Sequence, residues 1–316
     1  MPAAHINVDE FLANYPRYLN RPGGKILSGT DSYKTYCSAI RQFLEWCDAR
    51  AIIPLEVDDY QAGEYIDWIE KQHHYTTNTM ATKRTGISKF YEAAVRLHLI
   101  EQNPFSDITI KSETERQVRF FTPEEIYLIV EVFDQEEDQF KRTRNLAMLY
   151  LMGVEGLRNV EVHRMNREDI NWKDGTIKIY GKGHNRYIYP CVDTLERLEG
   201  YIHICPLPKE TAPTPVFISE SNAWNGCRLS RDGIRYIMNK AEKMAGLKQN
   251  GTSCHILRHS VGTNLYAQTK DLRLVQDTLG HRDPQTTAIY AHLNDRLENR
   301  YTKGIVPVPA QGPKKS

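Results

Sequence analysis

Residues 254–292 read CHILRHSVGTNLYAQTKDLRLVQDTLGHRDPQTTAIYAH. The run holds His255, Arg258, His259, His281 and Tyr290. His255 and Arg258 stand three apart, so on a helix they share a face. The Arg258 guanidinium is a rigid fork of donors that suits a phosphate. Tyr290 carries a phenol, which acts as a nucleophile once something stabilises the charge it meets. Leu272, Val275 and Leu279 recur at helical spacing and stop at Gly280, a helix end that presents His281 beside it. Arg282-Asp283-Pro284 then predicts a turn ahead of Tyr290. An arginine, two histidines and a tyrosine gathered on one spot are the groups that attack on a phosphodiester needs.

The ordered set His255-Ile256-Leu257-Arg258-His259, Leu279-Gly280-His281 and Thr287-Ala288-Ile289-Tyr290 resembles the second signature box of the tyrosine recombinases, the phage-integrase family. Upstream, Gly156-Leu157-Arg158-Asn159-Val160-Glu161 resembles the family's first box, Gly-Leu-Arg-x-x-Glu. Taken alone, Arg158 and Glu161 would read as an ion pair on a helix surface. With the downstream box in place, the resemblance makes Arg158 the second guanidinium on the scissile phosphate and Glu161 a group that orients its neighbours. Two forks can hold both non-bridging oxygens and match the extra charge of a pentacoordinate transition state. His163 and Arg164 stand where the family mostly keeps aliphatic residues, and His163 is expected to be structural.

Between the boxes the pattern changes to period two over residues 168–190, with Ile170, Trp172, Ile177 and Ile179. Asp174-Gly175 is a hairpin turn signal. A small antiparallel sheet is expected, with Lys182 of Gly181-Lys182-Gly183 at a strand end or turn. In isolation Lys182 is a hairpin lysine in water. Its setting, 24 residues after Arg158, resembles the family's β-hairpin lysine, which implies a general acid for the departing 5′ oxygen. His184 and Arg186 are expected to touch DNA near the hairpin tip.

The rest of this half reads as a helix opening at Thr122 with Ile126, Ile129 and Val130 facing in, helices over 141–153, 193–204 and 229–246, and a short strand at Val216-Phe217-Ile218. Thr122-Pro123-Glu124-Glu125 is a capping-box start. The helix at 229–246 lies in a basic stretch, and Arg228, Arg231, Arg235 and Lys240 are candidate phosphate contacts, the alternative being a solvated helix face. A last helix is expected at 295–303, then a flexible Pro-rich tail at 304–316. Family members often pass a C-terminal element to a neighbouring subunit, and Ile305 and Val306 could serve as its apolar plug.

Residues 1–27 are a loosely patterned lead-in, broken by Arg21-Pro22-Gly23-Gly24. From Ser28, Tyr33, Tyr36, Ile40, Phe43, Leu44 and Cys47 recur at three and four. Two more helices are expected, at 58–71 with Tyr60, Ile66 and Ile69 inside, and at 77–98 with Met80, Ile87, Phe90, Tyr91, Ala94 and Leu97 inside. Residues 1–105 thus form a helical domain, 106–120 a linker and 121–303 a second domain. Lys34, Arg41, Lys83, Arg84 and Lys89 are candidate backbone-phosphate contacts of the first domain. The resemblance makes that domain a SAM-like core-binding domain. The fold class is mainly α with a small antiparallel sheet, in a two-domain recombinase layout whose second domain is α+β and catalytic.

The bulk numbers agree with this layout. The 316 residues suffice for two ordinary domains. Net charge is only +1, but residues 1–105 carry −2 and the remainder +3. No apolar run approaches a membrane span, and MPAAHINVDEF lacks the form of a signal peptide. The six cysteines form no Cys-x-x-Cys pair, which points to a reducing cytoplasm and away from zinc. There is no Walker-type loop and no acidic cluster for two metals, so no cofactor and no metal is expected.

The implied reaction has Arg158, Arg258 and His255 binding the scissile phosphate while Tyr290 attacks. A 3′-phosphotyrosine forms, Lys182 protonates the 5′ leaving group, and His281 hydrogen-bonds the phosphate or buttresses the site. His259 is read as a structural neighbour that its place in the box keeps as a candidate. The family implies double-stranded DNA with inverted-repeat core sites and a homotetramer on DNA from free monomers or dimers. It also implies a Holliday junction, accessory bending or directionality factors, and a nucleoid setting. Two alternatives stand beside it. One is a type IB topoisomerase-like enzyme that relaxes DNA, and the other is a catalytically silent DNA-binding factor.

Overall fold

Local capping and turn chemistry place most of the helices. The computed structural model describes residues 7–19, 31–110, 119–181, 185–210, 212–221, 223, 225–248, 253–280, 287 and 290. The chain divides into two units, Met1–Arg116 and Gln117–Ser316.

In the first unit, α1 (Val8–Tyr18), α2 (Asp31–Asp48), α3 (Asp59–His73) and α4 (Thr77–Arg96) surround an aromatic core. The Asp58 carboxylate accepts from the Gln61 amide at 2.8 Å while the Gln61 side chain accepts from the Asp58 amide, so α3 opens on a capping box. Phe43, Tyr65, Tyr91 and Phe105 are all fully buried, with ring centroids 5.0–5.9 Å from Phe43. Gly86 lets α2 and α4 approach closely, because a Cβ there would stand 3.1 Å from Tyr36 Cα.

Two expectations for this unit fail. The lead-in contains α1, capped by Asn7 and docked through Phe11, whose ring lies 5.1 Å from that of Phe90. Non-helical dihedrals at Asn14 and a proline at 16 interrupt its periodicity. Tyr60, expected inside, is 76% exposed. The buried stripe of α3 is Ala62, Tyr65 and Ile69, and Tyr60 lies about 200° around the helix from Ala62.

In the second unit the helices are α5 (Pro123–Asp134), α6 (Gln139–Gly153), α7 (Asn159–Arg164), α8 (Val192–Ile204), α9 (Arg231–Met244), α10 (His255–Thr269) and α11 (Leu272–Leu279). Thr122 caps α5 as its sequence predicts, with both hydrogen bonds of the capping box present. Helix α6 is the core element, since Leu146, Ala147, Met148, Leu149, Leu151 and Met152 are all buried. Strands β1 (Ile170–Asn171), β2 (Thr176–Tyr180) and β3 (Asn185–Ile188) form an antiparallel sheet in the order β1-β2-β3. Ile177 pairs with both Ile170 and Ile188, and all three are buried. Gly175 turns the β1–β2 hairpin at φ 63°.

The segment Val216-Phe217-Ile218 is buried but carries one isolated bridge, from Ile218 to Arg228, with Pro215 and Ser219 bridging singly on either side, so it is not assigned as a strand. The helix expected at 295–303 and the tail 304–316 lie outside the described residues.

Candidate active site

Gly156 adopts φ 71°, a conformation that favours glycine, and a Cβ there would stand 2.5 Å from Leu279 Cδ2. This turn brings the first box against the end of α11. Arg158 follows as the N-cap of α7, and Glu161 sits three residues on. The Glu161 carboxylate accepts from the Arg158 amide at 2.8 Å and from Arg158 Nη1 at 3.1 Å. Asn159 Nδ2 donates to the Arg231 carbonyl at 2.9 Å, which ties α7 to α9.

Arg258 reaches the same place from α10. Its Nη1 donates to the Gly156 carbonyl and its Nη2 to the Leu279 carbonyl, each at 2.6 Å. Its Nη1 lies 3.9 Å from Glu161 Oε2. Burial, joined by the charge of Arg158, pushes the Arg258 guanidinium down to about 10. It stays protonated at neutral pH.

A third guanidinium completes the cluster. Arg186 was expected to touch DNA near the hairpin tip. Its side chain is instead 11% exposed, with Nη1 at 2.6 Å from Glu161 Oε1 and Nη2 at 3.2 Å from Oε2. Burial alone would raise the Glu161 carboxyl. The hydrogen bonds and charge of Arg186, then the Arg158 amide and charge, outweigh it and hold the group below the ordinary carboxylate range. Three guanidiniums within 3.9 Å of one carboxylate leave a local charge of about +2. A phosphodiester carries −1 and gains negative charge in a pentacoordinate transition state, so the cluster complements that state better than the ground state.

Tyr290 is 1% exposed, and its ring lies over Gly262, where a Cβ would stand 2.5 Å from Cζ. Its hydroxyl is 3.3 Å from His259 Nδ1. Burial raises the phenol above its ordinary value, and the charges of Arg258 and Arg158 oppose that rise. His259 is pushed down by burial, then by His255 and Arg258, so it is neutral at pH 7 and can accept a proton. His255, exposed at the start of α10, is likewise lowered by desolvation of its ring and by Arg258 and Arg158.

Lys182, His184 and His281 lie outside the described residues. Tyr180 and Asn185, flanking the lysine hairpin, are paired across β2 and β3. Gly280, before His281, caps α11 at φ 65° as its sequence predicts.

Other candidate DNA contacts divide into two groups. Arg228 donates to the His163 and Met165 carbonyls at 3.0 and 3.1 Å and to Asn166 Oδ1 at 2.7 Å, so its guanidinium closes the end of α7. Arg84 donates to the Phe105 and Ser106 carbonyls. Lys89 pairs with Glu92 at 2.6 Å. His163 Nδ1 stands 2.8 Å from the Leu229 carbonyl, a structural role. In contrast, Lys34 and Arg41 are exposed on α2, and Arg231, Arg235 and Lys240 are exposed on α9, with Arg235 beside Asp232 at 2.9 Å. In the first unit, Lys34 and Lys83 line a hydroxyl-rich groove with Thr35, Ser38, Thr79 and Thr82. Among the described residues no group of three His, Cys, Asp or Glu is placed to hold a metal ion, and no helix is long and apolar enough to cross a membrane.

Sequence reasoning did not single out Gly262, and it named Arg186 without its place in the cluster. Gly262 carries the tyrosine ring, and its only signal is a glycine inside a helical pattern. Arg186 shares the inward face of β3 with buried Ile188, and that alternation was its signal.

Comparison with known proteins matches this geometry to a family. Residues 119–296 match the phage integrase family, and residues 29–101 match the phage integrase N-terminal SAM-like domain. Tyrosine recombinase XerC of Bacillus pumilus is 28% identical over 276 residues, covering 84% of this chain and 87% of that protein. Tyrosine recombinase XerD of Staphylococcus epidermidis is 30% identical over 235 residues, covering 72% and 76%. A structure of XerH site-specific recombinase bound to palindromic difH substrate, a post-cleavage complex, superposes with a TM-score of 0.72 at 22% identity, covering 86% and 79%. That likeness speaks to the fold, while the match over 119–296 takes in both signature boxes, and the chain belongs to the phage integrase family of tyrosine recombinases.

Proposed function

We propose that this tyrosine recombinase is a simple site-specific enzyme that exchanges strands between double-stranded DNAs carrying inverted-repeat core sites. Arg158 and Arg258, with His255, hold the non-bridging oxygens of the scissile phosphate. Tyr290 gives its proton to His259 and attacks phosphorus. The bond from phosphorus to the 5′ oxygen breaks, Lys182 supplies that oxygen's proton, and a 3′-phosphotyrosine remains. A 5′ hydroxyl from the partner strand attacks this ester and releases Tyr290. Two such exchanges pass through a Holliday junction. The covalent link conserves the ester energy, so the scheme needs no nucleotide hydrolysis. His281 hydrogen-bonds the phosphate or buttresses the site.

The single observation that carries this reading is the convergence of Arg158 and Arg258 on Glu161 from segments 100 residues apart in sequence. Arg258 is locked by two carbonyls, while the Arg158 side chain is 31% exposed and open to a ligand. Lys34, Arg41, Lys83, Arg231, Arg235 and Lys240 are assigned to backbone phosphates, and His184 to DNA near the hairpin. A homotetramer on paired sites, formed from free monomers or dimers with accessory bending or directionality factors, belongs to the same reading, as does a cytoplasmic, nucleoid-associated setting.

The test is adduct trapping. The protein is incubated with DNA flanking its own gene, quenched in detergent, and the protein-linked ends are sequenced. A covalent adduct confined to a short inverted repeat and lost in Tyr290→Phe is expected. Adducts scattered without site preference would replace recombination with relaxation, and an adduct persisting in Tyr290→Phe would mean another nucleophile.

A further inference from the structure

Glu161 is fully buried, yet it faces more positive charge than one carboxylate can neutralise. How its acceptor sites are shared decides where the arginines point. A carboxylate offers about four lone-pair positions. Oε1 takes Nη1 of Arg158 and Nη1 of Arg186. Oε2 takes the Arg158 amide and Nη2 of Arg186. The four positions are therefore filled, two of them by the Arg186 fork. Arg258 stands off at 3.9 Å and spends its hydrogen bonds on the carbonyls of Gly156 and Leu279.

Arg186 also borders two other segments of the site. It lies on β3, four residues after Lys182, on the same strand face as buried Ile188. Its Cδ and Nε pack under Gly280, where a Cβ would stand 2.7 Å from Cδ, one residue before His281. One side chain thus links the lysine hairpin, the first-box glutamate and the glycine ahead of His281.

We infer that Arg186 is a positioning residue for strand cleavage: its fork saturates Glu161 and so leaves the Arg158 guanidinium available to the phosphate, beside an Arg258 fixed by its two carbonyls. The inference rests on the cleavage reading above. Without Arg186, a buried carboxylate has two open acceptor positions, and the Arg158 guanidinium, already bonded to Oε1, is the donor that can turn further to fill them. A displacement of about 1 Å at a reacting centre can cost on the order of a hundredfold in rate. A lysine at 186 restores the charge but not the two-pronged geometry.

The test compares wild type, Tyr290→Phe, Arg186→Ala and Arg186→Lys on a duplex carrying the trapped site. A second duplex carries a methylphosphonate at the scissile position. That group lacks one charged non-bridging oxygen, so it asks less of the arginines. Arg186→Ala is expected to bind DNA within about twofold of wild type and to cleave the phosphodiester roughly 10- to 100-fold more slowly. On the methylphosphonate its deficit should shrink to within about threefold, and Arg186→Lys should fall between the two on the phosphodiester. The ratio of the two rates in one preparation does not depend on the fraction folded. An equal deficit on both substrates, or a loss mainly of DNA affinity, would overturn the inference. If wild type forms no Tyr290-dependent adduct, the cleavage reading itself fails. Crystal structures of wild type and Arg186→Ala then decide the positional claim: an Arg158 guanidinium turned further onto Glu161 supports it, and an unmoved Arg158 sinks it.

Discussion

The Tyr290 hydroxyl stands 3.3 Å from Nδ1 of His259, inside a site where the phenol is 1% exposed. A phenol raised by burial cannot attack as a phenolate at neutral pH unless a base takes its proton. His259 is held below the ordinary histidine range by burial, His255 and Arg258, so its neutral form dominates at neutral pH. The sign follows: cleavage is level through neutral pH and falls only as pH drops below the ordinary histidine range and protons fill His259. His259→Gln should slow adduct formation by roughly 10²- to 10⁴-fold and lose that acid limb, while His255→Gln should keep it. Single-turnover rates across pH 5–9 would read this directly, and a limb that survives in His259→Gln assigns it elsewhere.

Gly262 is the floor under the tyrosine ring. A methyl group there would overlap Tyr290 Cζ at 2.5 Å and Cε2 at 2.6 Å, distances that no side chain tolerates. Gly262→Ala should therefore expel the ring. The expected readout is nitration by tetranitromethane, mapped by mass spectrometry, with Tyr290 protected in wild type and modified in the variant. Protection in both proteins would mean that the ring is held by other contacts.

Arg158 and Arg258 should fail in the same assay but for separable reasons. Loss of either should slow cleavage by about a hundredfold or more, the scale of losing one preorganised oxyanion donor. Arg258 is also a structural tie, bonded to two buried carbonyls and facing a buried carboxylate. Removing a partner from such a buried charge cluster costs roughly 3–5 kcal/mol. Arg158 is part exposed, and Glu161 would keep Arg186 when it is lost. Arg258→Ala should unfold at clearly lower denaturant than Arg158→Ala. Equal midpoints for the two variants would contradict the carbonyl ties.

What could be read from the sequence was local. The Thr122 capping box, the Asp174-Gly175 turn and the left-handed Gly280 each depend on a few neighbouring residues, and each forms where its signal lies. The features that escaped depend on partners far along the chain. Helix α1 is legible only through Phe11 meeting Phe90, and Tyr60 fails because the helix phase is set by Tyr65 and Ile69 docking in the core. Arg228 and Arg84 look like surface charge until the carbonyls they close are in place. The two signature boxes name Arg158, Glu161 and Arg258, but nothing in either box announces that Arg186 enters the same cluster from β3.

The proposed role of Lys182 as general acid is tested through the chemistry of the leaving group. A 5′ alkoxide departs poorly at neutral pH unless it is protonated as the bond breaks. A bridging sulfur in place of that oxygen leaves as a thiolate, whose conjugate acid is far stronger, and it needs no proton. Lys182→Ala should therefore form little adduct on an ordinary duplex and recover near wild-type rates on a duplex with a 5′-bridging phosphorothiolate. Arg258→Ala supplies the control, since the task proposed for Arg258 is charge on the non-bridging oxygens, which sulfur at the bridge leaves unchanged. If sulfur rescues neither variant, the proton comes from a group other than Lys182. If it rescues both alike, departure of the leaving group limits the rate in each, and the division of roles between lysine and arginine is wrong.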